Sequence, residues 1–146
     1  HEEVLKGINE AIKKTQIYVV LDNLDSAVKG GRLNPSVKIV SDFLNLKPIM
    51  SIKKDGSLGP IGAMWGKKNV VNKISKFILK KLDDSKKYDI AIAHSVCEEN
   101  AELLRKLLYD KSKNIKSISI LELGCALGSH TGAATLAVGI QEHLTI

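Results

Sequence analysis

The stretch Pro48-Ile49-Met50-Ser51-Ile52, the tetrad Lys54-Asp55-Gly56-Ser57 and the return Leu58-Gly59-Pro60-Ile61-Gly62-Ala63-Met64 together decide the fold class. An apolar run, a turn tetrad carrying Asp-Gly, and a second run predict two antiparallel strands joined by a hairpin. On either side of it, strand-like and helix-like segments alternate, which by itself suggests parallel strands with crossover helices. A plain hairpin inside such a series makes the sheet mixed, so the class is α/β (α+β).

Working outward, Glu2 to Lys14 places Val4, Leu5, Ile8, Ala11 and Ile12 at helical spacing. Ile17 to Leu21 is a short β-branched and aromatic run, hence a strand. Asp22 is the expected cap of a short helix that Gly30-Gly31 stops. Asn34-Pro35 supplies a cap and a first-turn proline for a second helix, expected to turn Val37, Val40, Phe43 and Leu44 inward. Val70, Val71, Ile74, Phe77, Ile78 and Leu82 mark a long amphipathic helix, and Asp89 to Ala93 a strand. Ser95 and Glu98 have capping-box spacing ahead of a helix with Ala101, Leu104, Leu107 and Leu108. Ser117 to Leu123 and Thr135 to Ile140 complete a sheet of about six strands packed with helices.

The chain has 146 residues, 44% of them hydrophobic and 26% charged, which suits one globular domain with a real core. No apolar run reaches the length of a membrane span and no signal-peptide layout precedes the first helix. His1 stands where methionine would, which suggests a chain cut from something longer. Two cysteines, Cys97 and Cys125, are too few for a disulfide framework, so a cytoplasmic location is expected. The net charge of +6 comes almost wholly from lysines, with arginine only at Arg32 and Arg105. The densest, lysine-rich element, Lys67-Lys68, Lys73, Lys76, Lys80-Lys81 and Lys86-Lys87, follows a helical period and reads as a solvated face; few aromatics are interleaved for base stacking, so no nucleic-acid partner is expected.

Most of the chemistry lies in Gly124-Cys125-Ala126-Leu127-Gly128-Ser129-His130-Thr131-Gly132, directly after a strand. Glycines allow a tight turn and close approach, and His130 with Thr131 can hold an anion by hydrogen bonds. Ile120-Leu121-Glu122-Leu123-Gly124-Cys125-Ala126-Leu127-Gly128 has the look of a methyltransferase motif, but Ala126 replaces its central glycine and too little chain follows for the acidic ribose partner. Gly62 to Lys68 is one residue off a phosphate loop and lacks the following Ser or Thr, so no nucleotide cofactor is expected. His94, Cys97, Cys125 and His130 do not have finger spacing, and no metal is expected. Lys29-Gly30-Gly31-Arg32 reads as a helix stop that presents an arginine for phosphate or partner contact, or as an ordinary stop with a surface arginine.

Taken together, Val20-Leu21-Asp22-Asn23-Leu24, Lys29-Gly30-Gly31-Arg32, Leu46-Lys47-Pro48-Ile49-Met50, Gly66-Lys67-Lys68 and Gly128-Ser129-His130-Thr131-Gly132 resemble the carboxy-terminal domain of the DegV family of bacterial fatty-acid-binding proteins. The Lys-Gly-Gly-Arg and Gly-x-His-x-Gly elements are the specific ones, and the resemblance covers nearly the whole chain. It implies a largely antiparallel mixed sheet and a chain, residues 1–146, that is one half of a two-domain protein whose amino-terminal domain is absent. An apolar surface that meets that half would then be exposed.

The resemblance further implies a long-chain fatty acid as bound ligand, with its carboxylate gripped by His130 and, beside it, Thr131. Arg32 is implied to contact a separate fatty acid kinase, similar to dihydroxyacetone kinases, that phosphorylates the carboxylate to an acyl phosphate for phospholipid synthesis. Gly30, Gly31, Gly128 and Gly132 would shape the backbone, and the chain itself would be non-catalytic, with no catalytic residue of its own. After Gly132 the family often has proline and glycine, where this chain has Ala133-Ala134, so a differently shaped turn is expected there. Each buried acyl methylene would contribute about 0.8 kcal/mol. Ile39, Phe43, Leu44, Leu46, Ile49 and Met50 are the candidate apolar sleeve. The alternative, from the residues alone, is a stand-alone acyl-transfer or hydrolytic enzyme using His130 as general base beside Thr131 or Cys125.

Overall fold

A computed structural model describes residues 2–53, 55–66 and 68–143; His1, Lys54 of the expected turn and Lys67 of the lysine-rich element lie outside the described residues. The order is α1 (Glu2–Lys13), β1 (Thr15–Val20), α2 (Asp25–Lys29), α3 (Pro35–Phe43), β2 (Leu46–Ile52), β3 (Leu58–Trp65), α4 (Val70–Leu79), β4 (Tyr88–Ser95), α5 (Glu98–Lys111), β5 (Ile115–Glu122), α6 (Cys125–Thr131) and β6 (Thr135–Glu142). The strands form one sheet in the order β3-β2-β1-β6-β4-β5. Only β4 and β5 run parallel, joined by the crossover helix α5; every other neighbouring pair is antiparallel. The hairpin expected from residues 48–64 is the β2–β3 pair, with Gly56 at φ +83° in its turn.

Period-2 alternation divides the sheet into two faces. Tyr18 and Val20, Ile90 and Ile92, and Leu136, Val138 and Ile140 are buried with Ile74 and Ile78 of α4 and Ala101, Leu104 and Leu108 of α5 in the main core. A smaller cluster joins Leu21, Leu24, Ala27, Leu33 and Met50, which seats α2 and α3 at one end of the opposite face. The remainder of that face is thinly covered. Cross-strand partners share a face, so Ile17, Gly139 and Ala91 make one row across β1, β6 and β4, and Val19, Ala137 and Ala93 the next. None of the six is fully buried.

Several local expectations are corrected. Asp22 does not cap α2: the Asn23 carboxamide accepts the Asp25 N–H at 2.8 Å, and Asp22 pairs with Lys47 instead. Ser95 does not cap α5, because β4 extends through it and Cys97 takes the cap position without a side-chain bond. Asn34 caps α3 as expected, accepting from the Ser36 N–H at 3.0 Å. Yet Val40, Phe43 and Leu44 point outward, Phe43 at 87% exposure, while Ser41 is the buried residue of that helix. The apolar stripe of α1 is likewise exposed along its whole length. The glycine-rich segment after β5, expected as a turn, contains a helix, α6.

Candidate functional site

The site forms where β1, β4 and β5 end and β6 begins, beneath α2 and α6. β1 delivers the chain into α2, which stops in a Schellman arrangement. Gly31 takes φ +70°, its N–H bonds to Val28 O at 3.0 Å and the Arg32 N–H bonds to Ala27 O at 2.9 Å. The exposed Arg32 side chain folds back, Nη1 donating to Gly30 O at 2.7 Å. The sequence separates Lys29-Gly30-Gly31-Arg32 from Gly128-Ser129-His130-Thr131-Gly132 by most of the chain; the fold packs α2 against α6 and brings them into contact.

That contact is reciprocal. The His130 imidazole lies over the Gly30 Cα, so close that a Cβ there would overlap Nδ1 and come within 3.2 Å of Cε1. Gly132, at φ +76°, faces Ser26 of α2, whose Oγ would lie 3.4 Å from an added Cβ. His130 is half-buried in the last turn of α6. Gly128 sits over Ser95 Oγ, and Thr135 Oγ1 donates to Thr131 O at 2.9 Å, so α6 rests on the same sheet face as the small-residue rows.

Thr131 Oγ1 is buried and has no hydrogen-bond partner among the described residues, as is His94 Nδ1. Cys97 donates its thiol toward Thr135 O at 3.4 Å, and burial pushes that thiol above its ordinary pKa; Cys125 is exposed. Among the described residues neither Thr131 nor Cys125 bonds to the His130 ring, so a base and a nucleophile are not joined there. No three His, Cys, Asp or Glu side chains gather as metal ligands among the described residues.

The turn into β6 carries Ala133-Ala134. Ala134 takes φ +57°, and its N–H is held by Ser95 O at 2.7 Å. Val96, which precedes the α5 cap, also has positive φ, +52°, with its side chain 81% exposed. A β-branched residue in this region is strained, and strain of this kind collects where loops must hold a fixed shape.

Nearby, Lys47 is 6% exposed and forms an ion pair with Asp22, at the border of a cavity of about 350 Å³ also lined by Asn69, Asn72 and Asn100. The expected sleeve is not one surface. Ile39, Phe43 and Leu44 are exposed, while Ile49 and Met50 belong to two different core clusters. An apolar recess lies elsewhere, toward the amino-terminal end of β1, where Ile8, Ile12, Ile17, Ile52 and Ile61 line about 1020 Å³. Alternation along β1 marks Ile17 as belonging to the second face; nothing local marks its neighbours in the recess.

This arrangement is that of a mixed sheet whose glycine-bounded histidine helix is pinned against a glycine-arginine stop. The family model described as "Uncharacterised protein, DegV family" matches residues 1–143, and the chain belongs to the DegV family. A DegV domain-containing protein of Clostridium perfringens is 31% identical over 137 residues, covering 94% of this chain and 47% of that protein. The fold superposes on a fatty acid binding DegV family protein of Streptococcus agalactiae with TM-score 0.82 and 26% identity, over 98% of this chain and 50% of that one. It superposes equally well, TM-score 0.82 at 22% identity, on the Streptococcus pneumoniae Fatty Acid Kinase (Fak) B3 protein loaded with linoleic acid, covering 97% of this chain and 50% of that one. The chain spans about half the length of the relatives it matches.

Proposed function

We propose that this chain is the carboxy-terminal domain of a two-domain fatty-acid-binding protein. It holds a long-chain fatty acid against the open sheet face, with His130 and Thr131 at the carboxylate, and presents that carboxylate to a separate kinase that approaches by Arg32. The observation that carries the reading is the path formed by Ile17-Gly139-Ala91 and Val19-Ala137-Ala93, which leads along the open face toward the helix bearing His130. Small side chains there leave room for an apolar chain, and burial of each methylene supplies about 0.8 kcal/mol. A half-buried imidazole at the end of that path can donate to one carboxylate and fix its position. Similar solved proteins are described as fatty acid binding, and one as a fatty acid kinase component, which supports the ligand class and the partner. The amino-terminal half would cover the path.

Native mass spectrometry of the full-length protein tests this. Co-purified long-chain fatty acid is expected, with occupancy lowered by His130→Ala and retained by Arg32→Ala, which instead impairs acyl-phosphate formation with the kinase. Protein that is repeatedly empty and ignores added fatty acid defeats the reading; equal loss of both properties in both variants defeats the division of roles.

A further inference from the structure

We propose that Gly30 and Arg32 are positioning residues for the His130 imidazole: the helix stop is the seat of the ring, and the arginine clamps that seat. Three observations combine. The ring occupies space that any side chain at residue 30 would take, since an added Cβ overlaps Nδ1. Gly30 has φ −77° and ψ −1°, an ordinary right-handed conformation open to any residue, and an added Cβ would come within 3.1 Å of Ser26 O, a tight contact, but only the ring would be overlapped outright. The Gly30 carbonyl accepts a hydrogen bond from Arg32 Nη1 at 2.7 Å.

The three groups therefore form one mechanical unit, guanidinium to carbonyl to imidazole. Arg32 spends one of its five N–H donors on this bond and, being exposed, keeps others for an anionic group on a partner. A partner that takes hold of Arg32 acts on the peptide beneath His130. A partner at the arginine and the orientation of the imidazole are thereby coupled, although the two residues belong to different motifs, and loss of the arginine side chain turns the ring without emptying the site. The ligand in this inference rests on the function proposed above; the seating of the ring does not.

The experiment is a double-mutant cycle in the full-length protein with palmitate as probe, read by palmitate Kd, imidazole NMR resonances and thermal midpoint. Gly30→Ala is expected to shift the His130 ring resonances, weaken palmitate about tenfold or more and lower the midpoint, since one displaced charge-assisted bond is worth about that much. In the His130→Ala background the same Gly30→Ala change has no ring to displace, so palmitate Kd moves less than about twofold and the midpoint holds or rises. Arg32→Met keeps the stem but removes every donor, and shifts the ring resonances in a protein whose backbone stop is otherwise intact; this variant decides the matter if Gly30→Ala does not fold. Unmoved ring resonances in both Gly30→Ala and Arg32→Met, or equal losses from Gly30→Ala with and without the His130 ring, overturn the proposal. If His130→Ala itself leaves palmitate affinity intact, the fatty-acid reading falls, while the ring resonances still decide the seating.

Discussion

Lys47 and Asp22 offer a sharp test of how the site end of the sheet is held. Their side chains are 7% and 57% exposed, so one charge is sunk in the sheet and its partner stands at the rim. Removing one partner of a fully buried pair costs about 3–5 kcal/mol, because the other charge is stranded. Exposed pairs are worth no more than about 1 kcal/mol. With one group at the rim, Asp22→Ala is expected to cost about 1–3 kcal/mol, between those limits. For a domain of this size each kcal/mol lowers the thermal midpoint by about 2–4 °C. Lys47→Met removes the sunken charge and keeps the stem's packing, so it should be neutral or slightly stabilising. The double variant should then recover most of what Asp22→Ala loses. Urea denaturation of the four proteins measures all three terms. A loss from Lys47→Met as large as that from Asp22→Ala, or simple additivity in the double variant, refutes the view that a stranded ammonium is what makes Asp22 matter.

Ala134→Gly should stabilise the chain by about 0.5–1 kcal/mol, because the left-handed conformation at φ +57° costs an alanine about 1–2 kcal/mol, part of which glycine's freedom in the unfolded chain takes back; calorimetry reads the sign. The Asp89 carboxyl is held below its ordinary pKa, first by the Ser117 hydroxyl and then by His143, so its contribution is present above the unfolded carboxylate pKa and fades as pH falls through the folded one. Ser117→Ala should therefore lose stability at neutral pH but not below both pKa values, and a loss of constant size across an acid titration would contradict this. Leu104→Ala, at a fully buried position, should cost about 2–5 kcal/mol by urea denaturation. Phe43→Ala in this chain should stay within about 0.5 kcal/mol of no change, since its ring is 87% exposed; a core-sized loss would mean that the ring is covered.

The hairpin and the alternation of elements were legible because they depend on neighbours a few residues apart. The Asp-Gly turn, the Asn34-Pro35 start and the Gly30-Gly31 stop all formed as local chemistry dictates. Residues 125–131 were not legible as a helix, because three glycines in the nine residues of 124–132 argue against one. That helix stands on Ser95, Thr135 and α2, contacts no local propensity can express. Periodicity also found the apolar side of α3 but not its direction: Phe43 and Val40 share a stripe that the described chain leaves uncovered. At the candidate site, the motifs were visible as separate strings, and only the fold shows that Gly30 is empty so that His130 can be where it is.

The position of β6 has a consequence for how the molecule is made. It follows the other five strands in the chain, yet it lies between β1 and β4. Until the ribosome has released Thr135 to Glu142, β3-β2-β1 and β4-β5 are two half-sheets with no hydrogen bonds between them, each showing an unpaired inner edge. Assembly must therefore wait for a late, long-range insertion, a step that is slow and leaves sticky edges bare meanwhile. A nascent chain stalled just short of Thr135 would be the species chaperones meet, and the two motifs would acquire their common platform only when the keystone strand slides home.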